Sequence, residues 1–322
     1  MLGQMMHRDL SIIDILKFAS ENHSLSEVVS LRTEGDMHRY NYTDCLSRVC
    51  KLANALVGLG IKKGDRVATL AWNGYRHLEL YYGISGIGAV CHTINPRLSP
   101  EQMLYIIEHA GDRLLFVDTT FVPIIEKLIP KLPKNLVIIV MASSDDSSTL
   151  SDNFLNYEQL ILESSHEIIW PELPENTAAG LCYTSGTTGN PKGALYSHRS
   201  TVLHALTTSL NLGPSLGDGM KVLPVVPLFH VNAWGLPYAA PLTGTSLIFP
   251  GPNLDGASLF DLMDQENVNS AWGVPTVWLG LLEEIRKQER VPSQFQNVVI
   301  GGSAAPKSMI EEFESLGVTV CH

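Results

Sequence analysis

Short apolar segments of strand length alternate with helical segments along most of the chain. Residues 66–71 (RVATLA), 114–118 (LLFVD) and 136–141 (LVIIVM) are apolar runs, and helical patterns separate them. One of these patterns, SPEQMLYIIEHAG at 99–111, begins with a capping box and ends in glycine. A similar alternation occupies residues 245–322. Strands that alternate with helices favour crossover connections, so the sequence predicts an α/β protein with two linked, mainly parallel β-sheets and packed helices.

Two subdomains are expected, with their boundary in a polar, serine-rich segment. Residues 142–153 (ASSDDSSTLSDN) have the composition of a surface loop. We therefore predict a first α/β subdomain over residues 1–150 and a second over residues 151–322. In the first, turn-forming residues at 34–36 separate two β-prone runs and predict an N-terminal hairpin, after which Thr43 is predicted to cap a helix.

Composition and charge exclude several classes of protein. The 322 residues are 45% hydrophobic and 17% charged, which is globular composition, and the net charge of −11 argues against nucleic acid as a partner. The five cysteines are odd in number and show no Cys-x-x-Cys spacing, which fits a reducing compartment. No apolar run reaches the ~18 residues of a membrane span, and the N-terminus lacks a signal-peptide pattern. We expect a cytoplasmic protein without an integral membrane segment.

The most distinctive segment is YTSGTTGNPKG at residues 183–193. It does not match the P-loop pattern, because Pro191 precedes Lys192 where glycine is required and Gly193 follows it. The loop is rich in hydroxyl groups and in glycines that let the backbone approach a ligand: Thr184, Ser185, Gly186, Thr187, Thr188 and Gly189. Backbone N–H groups in such a turn bind anions, and Lys192 adds a positive charge. We predict a polyphosphate site; the alternative is a flexible turn with an exposed lysine.

This loop resembles the signature loop of the adenylate-forming ligases, which include acyl-CoA synthetases, luciferases and peptide-synthetase adenylation domains. Two further segments match motifs of that family in the family's order, PLFHVNAWG at 227–235 and VIGGSAAP at 299–306. HTINPRLSPEQ at 92–102 is also typical, so the resemblance spans nearly the whole chain. LYSHRSTVLH at 195–204, together with the segment around 227–235, looks most like the medium- and long-chain fatty acyl-CoA ligases.

The resemblance implies the fold of the family's large N-terminal domain and a two-step reaction. A carboxylate, here a medium- to long-chain fatty acid, attacks the α-phosphate of ATP and releases pyrophosphate. The thiol of CoA then displaces AMP from the acyl-adenylate. The resemblance therefore implies ATP, CoA and Mg²⁺ as ligands, and positioning and electrostatics dominate steps of this kind.

By the same resemblance, Lys192 and His230 are the expected catalytic residues. The phosphate loop from Thr184 to Gly189 would hold the nucleotide with Lys192, and the Thr184 hydroxyl would help to hold Mg²⁺. The remaining predicted contacts to the adenylate are Val231, Gly302, Ser303, Ala304 and Ala305. The acyl site is expected to be lined by His230, Val231, Trp234 and Gly302. For His230 the alternative is a structural histidine at a turn, and for Trp234 it is a core tryptophan.

The sequence departs from the family's pattern after its last apolar run, VTVCH at 318–322. The family continues with an aromatic-Gly-x-Thr-Glu loop whose glutamate binds Mg²⁺, a ribose-binding aspartate, a hinge and a mobile C-terminal domain with a catalytic lysine. These features are not found in the sequence. We therefore expect an N-terminal portion of a fatty acyl-CoA ligase, not competent by itself, whose relatives suggest a homodimer. The alternatives are a non-catalytic acyl- or nucleotide-binding module and another adenylate-forming enzyme, such as an aryl-CoA or acyl-AMP ligase.

Overall fold

A computed structural model describes residues 1, 3–144, 153–184, 190–212 and 215–322. The helices of these residues are α1 (Ile12–Asn22), α2 (Tyr42–Gly58), α3 (Tyr75–Gly86), α4 (Pro100–Ala110), α5 (Val122–Leu128), α6 (Tyr157–Leu162), α7 (His198–Asn211), α8 (Leu236–Thr243), α9 (Gly256–Gln265), α10 (Pro275–Gln288) and α11 (Lys307–Ser315). The strands are β1 (Glu27–Leu31), β2 (Met37–Asn41), β3 (Arg66–Leu70), β4 (Val90–Thr93), β5 (Asp112–Asp118), β6 (Val137–Met141), β7 (Phe154–Asn156), β8 (Ala178–Thr184), β9 (Lys192–Ser197), β10 (Lys221–Pro224), β11 (Ser246–Phe249), β12 (Ser270–Gly273), β13 (Asn297–Ile300) and β14 (Thr319–Cys321).

The strands form two seven-stranded sheets. The first sheet has the order β14-β13-β12-β10-β11-β1-β2, and the second has the order β7-β6-β5-β3-β4-β8-β9. Neighbouring strands are parallel except for one antiparallel pair at an edge of each sheet, β1–β2 and β8–β9. The predicted α/β architecture of two mainly parallel sheets with packed helices is confirmed, and so is the hairpin near the N-terminus.

The two sheets do not divide the chain at one point. The N-terminal hairpin β1–β2 belongs to the first sheet, because β1 pairs in parallel with β11. The β8–β9 pair, which follows residue 151, instead closes an edge of the second sheet. A boundary at residue 150 therefore does not coincide with the division of the strands. Residues 145–152 lie outside the described ranges, and the domain boundary itself stays a prediction.

Local side-chain chemistry accounts for where the helices begin. The predicted capping box of α4 is present, with Ser99 accepting from the backbone of Gln102 and Gln102 accepting in return. The prediction for α2 is wrong by two residues. Asn41, not Thr43, is the N-cap, and its Oδ1 accepts a hydrogen bond from the Asp44 N–H at 2.9 Å. Thr43 lies inside the first turn and donates instead to a backbone carbonyl of α1.

The two sheets share one apolar cluster, and the connections that follow β3 and β11 are bridged to each other. One apolar cluster contains Val67 and Phe116 of the second sheet and Val222 and Phe249 of the first. Asn73, which follows β3, forms an isolated β-bridge with a residue that follows β11. In open α/β sheets, ligands bind beyond the carboxyl ends of the strands, so this is the edge on which a site is expected. Among the described helices, none is long and apolar enough to cross a membrane.

Candidate active site

The predicted phosphate loop connects the two strands of a hairpin. β8 ends at Thr184 and β9 begins at Lys192, and these two residues are paired across the antiparallel ladder. Both are exposed, and the Thr184 hydroxyl donates to the Lys192 carbonyl oxygen at 3.5 Å. The structure therefore brings these two predicted site residues together. The other predicted loop residues lie outside the described ranges, and their role stays a prediction: Ser185, Gly186, Thr187, Thr188 and Gly189.

Two histidines contact Tyr183, which lies next to Thr184 at the loop end of this hairpin. The Tyr183 hydroxyl and His109 Nδ1 are 2.6 Å apart, and the rings of Tyr183 and His92 lie with their centroids 5.1 Å apart. His92 Nδ1 is in turn 2.8 Å from a carboxylate oxygen of Asp112, and both side chains are buried. Burial raises the pKa of Asp112. Sequence analysis missed this group, because its members come from β4, α4, β5 and β8 and share no motif.

The segment that carries His230 turns through an unusual backbone conformation. The φ angles of Val231, Asn232, Ala233, Trp234 and Gly235 are 50°, 48°, 45°, 54° and 80°. Left-handed helical geometry costs an L-residue roughly 1–2 kcal/mol, and here four successive non-glycine residues adopt it. Backbone strain of this kind persists only where the surroundings enforce it, and it concentrates at functional sites.

Side chains of β8 in the second sheet and of α3 contact this left-handed turn, although the turn follows β10 of the first sheet. Asn232 Oδ1 accepts from the Cys182 thiol at 3.4 Å and lies 3.4 Å from the Tyr81 hydroxyl oxygen. The Tyr81 hydroxyl also donates to the backbone carbonyl of Leu228. Cys182 lies two residues before Thr184 on β8. The acyl-site motif and the strand that leads into the phosphate loop are therefore joined directly.

His230 lies at the entrance of the turn as an exposed residue. Its backbone N–H donates to the Pro227 carbonyl at 3.1 Å, and its own carbonyl accepts from Ala233 at 3.1 Å. Partial burial of the imidazole lowers its pKa below 6.5, so the ring is neutral near pH 7. No side chain of the described ranges hydrogen-bonds the imidazole. The ring is thus available to a substrate group as a neutral donor or acceptor.

Trp234 links the turn to the third predicted segment. A Cβ atom placed on Gly301 would lie 2.8 Å from Cη2 of the Trp234 indole, so the ring rests directly on the backbone after β13. Gly302 has a φ of 79° and its position is 3.0 Å from a Val274 methyl by the same measure. Both positions therefore require glycine: a side chain at 301 would clash with the indole, and one at 302 would crowd Val274 on a left-handed backbone. Trp234 is half-buried against the large apolar cluster. Val231, three residues earlier in the sequence, is 40% exposed.

The predicted adenylate residues form an accessible rim next to this contact. Gly302, Ser303 and Ala304 are exposed, and Ala305 is half-buried. These residues follow the carboxyl end of β13, Thr184 is the last residue of β8, and His230 follows β10. The Asn232–Cys182 and Trp234–Gly301 contacts connect the three predicted segments. Gly302 is exposed next to the Trp234 indole, and the absence of a side chain there lets a purine or ribose approach the backbone closely.

Metal ligands are not assembled in the described ranges. No group of three or more His, Cys, Asp or Glu side chains there could hold a metal ion. The Thr184 hydroxyl offers a single oxygen, whereas Mg²⁺ bound to protein ordinarily has a carboxylate ligand. The residues on hand therefore do not fit a Mg²⁺ site by themselves, and we assign no step to the metal.

Comparison with known proteins identifies the family to which this sequence is similar. The family model for AMP-binding enzymes matches residues 18–322. The chain is 49% identical to a medium-chain-fatty-acid–CoA ligase of Ectopseudomonas oleovorans over 100% of its own length and 59% of the relative's. It is 45% identical to a 3-methylmercaptopropionyl-CoA ligase of Ruegeria pomeroyi over 100% of its own length and 60% of the relative's.

A solved structure agrees in fold. The anthranilate CoA ligase AuaEII in complex with anthranoyl-AMP superposes with a TM-score of 0.85 at 21% sequence identity, covering 99% of this chain and 60% of the other. The chain thus spans about three fifths of the length of the relatives it matches. On the match to residues 18–322, this chain belongs to the family of AMP-binding enzymes.

Proposed function

We propose that this chain carries the acyl-binding and nucleotide-binding part of an ATP-dependent ligase that joins medium- to long-chain fatty acids to CoA. The observation that carries the proposal is that direct contacts join the three predicted segments. Asn232 contacts Cys182 of the phosphate-loop strand, and Trp234 rests on Gly301 before the adenylate rim. An acyl-adenylate needs all three at once, because one molecule holds the acyl chain, the phosphate and the adenosine.

The proposed chemistry assigns a role to each segment. Fatty acid carboxylate oxygen attacks the α-phosphorus of ATP, the bond from that phosphorus to the bridging oxygen breaks, and pyrophosphate leaves. Lys192 offsets negative charge on the phosphates, and the neutral His230 imidazole orients the carboxylate by hydrogen bonding. In the second step the sulfur of CoA attacks the acyl carbon, and AMP leaves with the bonding electrons. The family's use of ATP and CoA supports this order of steps.

The substrate class rests on apolar surface beside the reacting carboxylate. Trp234 and Val231 offer an aromatic ring and a branched methyl pair next to His230. These side chains suit an alkyl chain, and the medium-chain-fatty-acid ligase is the relative with 49% identity. A shorter thioether acid is the second candidate, because a 3-methylmercaptopropionyl-CoA ligase is 45% identical. We also propose a cytoplasmic location and a homodimer, as the sequence led us to expect.

Binding of stable acyl-adenylate mimics tests the proposal on the chain as it is. Sulfamoyladenosines carrying decanoyl, hexadecanoyl, benzoyl and 3-methylthiopropanoyl groups would be titrated into the purified 322-residue protein by calorimetry. We expect the decanoyl or hexadecanoyl compound to bind at least about tenfold more tightly than the benzoyl compound, because apolar contacts are worth about 0.8 kcal/mol for each buried methylene. Tighter binding of the benzoyl compound, or no binding by a folded protein, would overturn it.

A lysine pair provides a matched control for the phosphate contact. Lys192→Ala should weaken binding of ATP by about tenfold, since a hydrogen bond to a charged group contributes about 1.5–3 kcal/mol. Lys307→Ala removes a lysine that is 88% exposed and pairs with Glu311 on the surface of α11, and it should leave ATP affinity unchanged. Equal effects of the two substitutions would count against the phosphate role of Lys192.

Turnover separates the ligase from the non-catalytic alternative. Fatty-acid-dependent exchange of pyrophosphate into ATP requires the adenylation step, whereas ligand binding does not. The expectation that the 322-residue chain alone has little exchange stays a prediction, and robust exchange would contradict it. Exchange supported by benzoate in preference to decanoate would favour an aryl-CoA ligase instead.

A further inference from the structure

Asn73 occupies a buried position between the two sheets. It lies in the short connection between β3 and α3 and is 5% exposed. A primary amide offers two N–H donors and a carbonyl acceptor, and a buried amide must satisfy them within the protein. The partners of Asn73 therefore show what this position is built to hold.

Within the described ranges, the three hydrogen bonds of the Asn73 side chain go to one segment of the first sheet. The Nδ2 amide donates to the carbonyls of Pro224 at 2.7 Å and Val226 at 2.9 Å. Its Oδ1 accepts from the backbone N–H of Leu228 at 2.7 Å. Asn73 thus binds alternate residues of the chain directly after β10, in the manner of a neighbouring strand. It lies on no predicted motif, and the function described above does not use it.

The segment it binds is the approach to His230. Regular strand pairing ends at Pro224, and both the Val225 and Val226 N–H groups donate to the Trp272 carbonyl at 2.9 Å. Beyond that point the chain runs through residues 227–230 into the left-handed turn. From the connection between β3 and α3, the Asn73 amide fixes the backbone up to Leu228, two residues before His230. The Tyr81 and Thr93 hydroxyls donate to the carbonyls that follow, those of Leu228 and Phe229.

We propose that Asn73 is a positioning residue for the acyl site: it fixes residues 224–228 so that the left-handed turn presents His230 and Trp234 toward the acyl-adenylate. The identity of the ligand in this inference rests on the proposed function, but the anchoring of residues 224–228 by Asn73 does not depend on it. Within the described ranges, the Asn73 side chain is 5% exposed and bonds to protein backbone. It acts through the backbone of the segment that carries His230, and it does so across the boundary between the two sheets.

Hydrogen exchange tests the structural content without any ligand. Asn73→Ala should accelerate amide exchange at least about tenfold in residues 225–235, with Leu228 most affected, because that N–H loses its buried acceptor. Asn156 gives a matched control. It is 6% exposed, donates to the Ser143 carbonyl at 3.0 Å and accepts from the Gln159 N–H at 3.0 Å. Asn156→Ala should leave exchange in residues 225–235 unchanged.

Ligand binding tests the positioning role. Asn73→Ala should weaken the decanoyl sulfamoyladenosine by at least about tenfold while AMP affinity changes less than about threefold, because only the acyl end contacts the displaced turn. Asn156→Ala should not change that ratio. If Asn73→Ala fails to fold cooperatively in urea, Asn73→Ser, which keeps a buried hydroxyl, is measured by the same two criteria.

The outcomes separate the two proposals. Anchoring by Asn73 is overturned if amide hydrogen exchange in residues 225–235 of Asn73→Ala stays at the wild-type rate. It is also overturned if that exchange rises equally in Asn156→Ala. Equal losses of acyl-adenylate and AMP affinity overturn the positioning role and leave a general stabilising one. A wild-type protein that binds no acyl-adenylate mimic overturns the proposed function, while the exchange data still decide whether Asn73 anchors the segment.

Discussion

Substituting Gly301 by alanine is expected to displace the indole that links the acyl motif to the adenylate rim. The new Cβ would lie 2.8, 3.1 and 3.3 Å from Cη2, Cζ2 and Cζ3 of Trp234. Carbon atoms prefer separations of about 3.5–4.0 Å, so the closest contact is too short by roughly 0.7 Å. The backbone of Gly301 cannot retreat freely, because its N–H donates to the Gly273 carbonyl at 3.2 Å. The ring must therefore move.

The size of the effect follows from the cost of overpacking. Inserting a methyl group into a filled space costs about 1–3 kcal/mol, which corresponds to roughly a 5- to 150-fold change in an equilibrium constant. We expect Gly301→Ala to weaken decanoyl sulfamoyladenosine by at least about tenfold in calorimetry, and to lower the free energy of unfolding in urea by about 1–2 kcal/mol. Ligand affinity should respond because Trp234 belongs to the proposed acyl site.

A second glycine supplies the control, and Trp234 itself supplies the refutation. A Cβ on Gly280 of α10 meets nothing closer than 3.6 Å, so Gly280→Ala should raise stability by up to about 1 kcal/mol and leave binding unchanged. In a Trp234→Leu background, Gly301→Ala should change the binding free energy by less than about 0.5 kcal/mol, because the indole that the new methyl group would displace is no longer there. Wild-type affinity in Gly301→Ala, or equal losses with and without the indole, would refute the steric explanation.

Three further outcomes are expected. Arg48→Ala should lower the free energy of unfolding in urea by about 3–5 kcal/mol, because it strands the fully buried Glu79 carboxylate that Arg48 Nε contacts at 2.6 Å. Burial raises the pKa of Asp118 from 3.8 to about 7, so the folded state holds a proton that the unfolded chain releases. Stability should therefore fall between about pH 4 and pH 7 by at most about 4 kcal/mol, and Asp118→Asn should flatten that part of the pH profile. Gly256→Ala should destabilise the protein by about 2 kcal/mol or more in thermal unfolding, since its Cβ would lie 2.1 Å from the Gly280 carbonyl oxygen.

The sequence predicted the elements whose causes are local. The capping box at Ser99 and Gln102 and the alternating apolar runs act within a few residues, and the structure has both. The cap of α2 was misplaced because Asn41 and Thr43 are both good N-cap residues, and only the geometry of the preceding strand selects Asn41. Nothing local indicates that the N-terminal hairpin joins the first sheet, since β1 reaches β11 only through the tertiary fold.

The candidate site likewise has parts that could be predicted from the sequence and parts that could not. The segments around Thr184, His230 and Gly302 could be found because each is a contiguous motif. The groups that hold them could not, because Asn73 and Tyr81 meet the segment before His230 only after the two sheets have packed. The left-handed turn left only partial cues. Asn and Gly tolerate that backbone region, whereas Val and Trp, which also adopt it here, predict the opposite.

The energetics of the turn indicate why its anchors come from both sheets. Four non-glycine residues in left-handed geometry cost roughly 4–8 kcal/mol. Asn73 makes three hydrogen bonds to residues 224–228, and Tyr81 and Cys182 each make one to this segment. At about 0.5–1.5 kcal/mol each, these bonds together are comparable to the strain. Burial of Ala233, which is 0% exposed, and the contact of Trp234 with Gly301 add to them. No single contact suffices, and the contacts of Asn73 and Cys182 cross between the sheets. The left-handed conformation of the predicted acyl segment therefore depends on contacts with the strand before the predicted phosphate loop and with the backbone after β13.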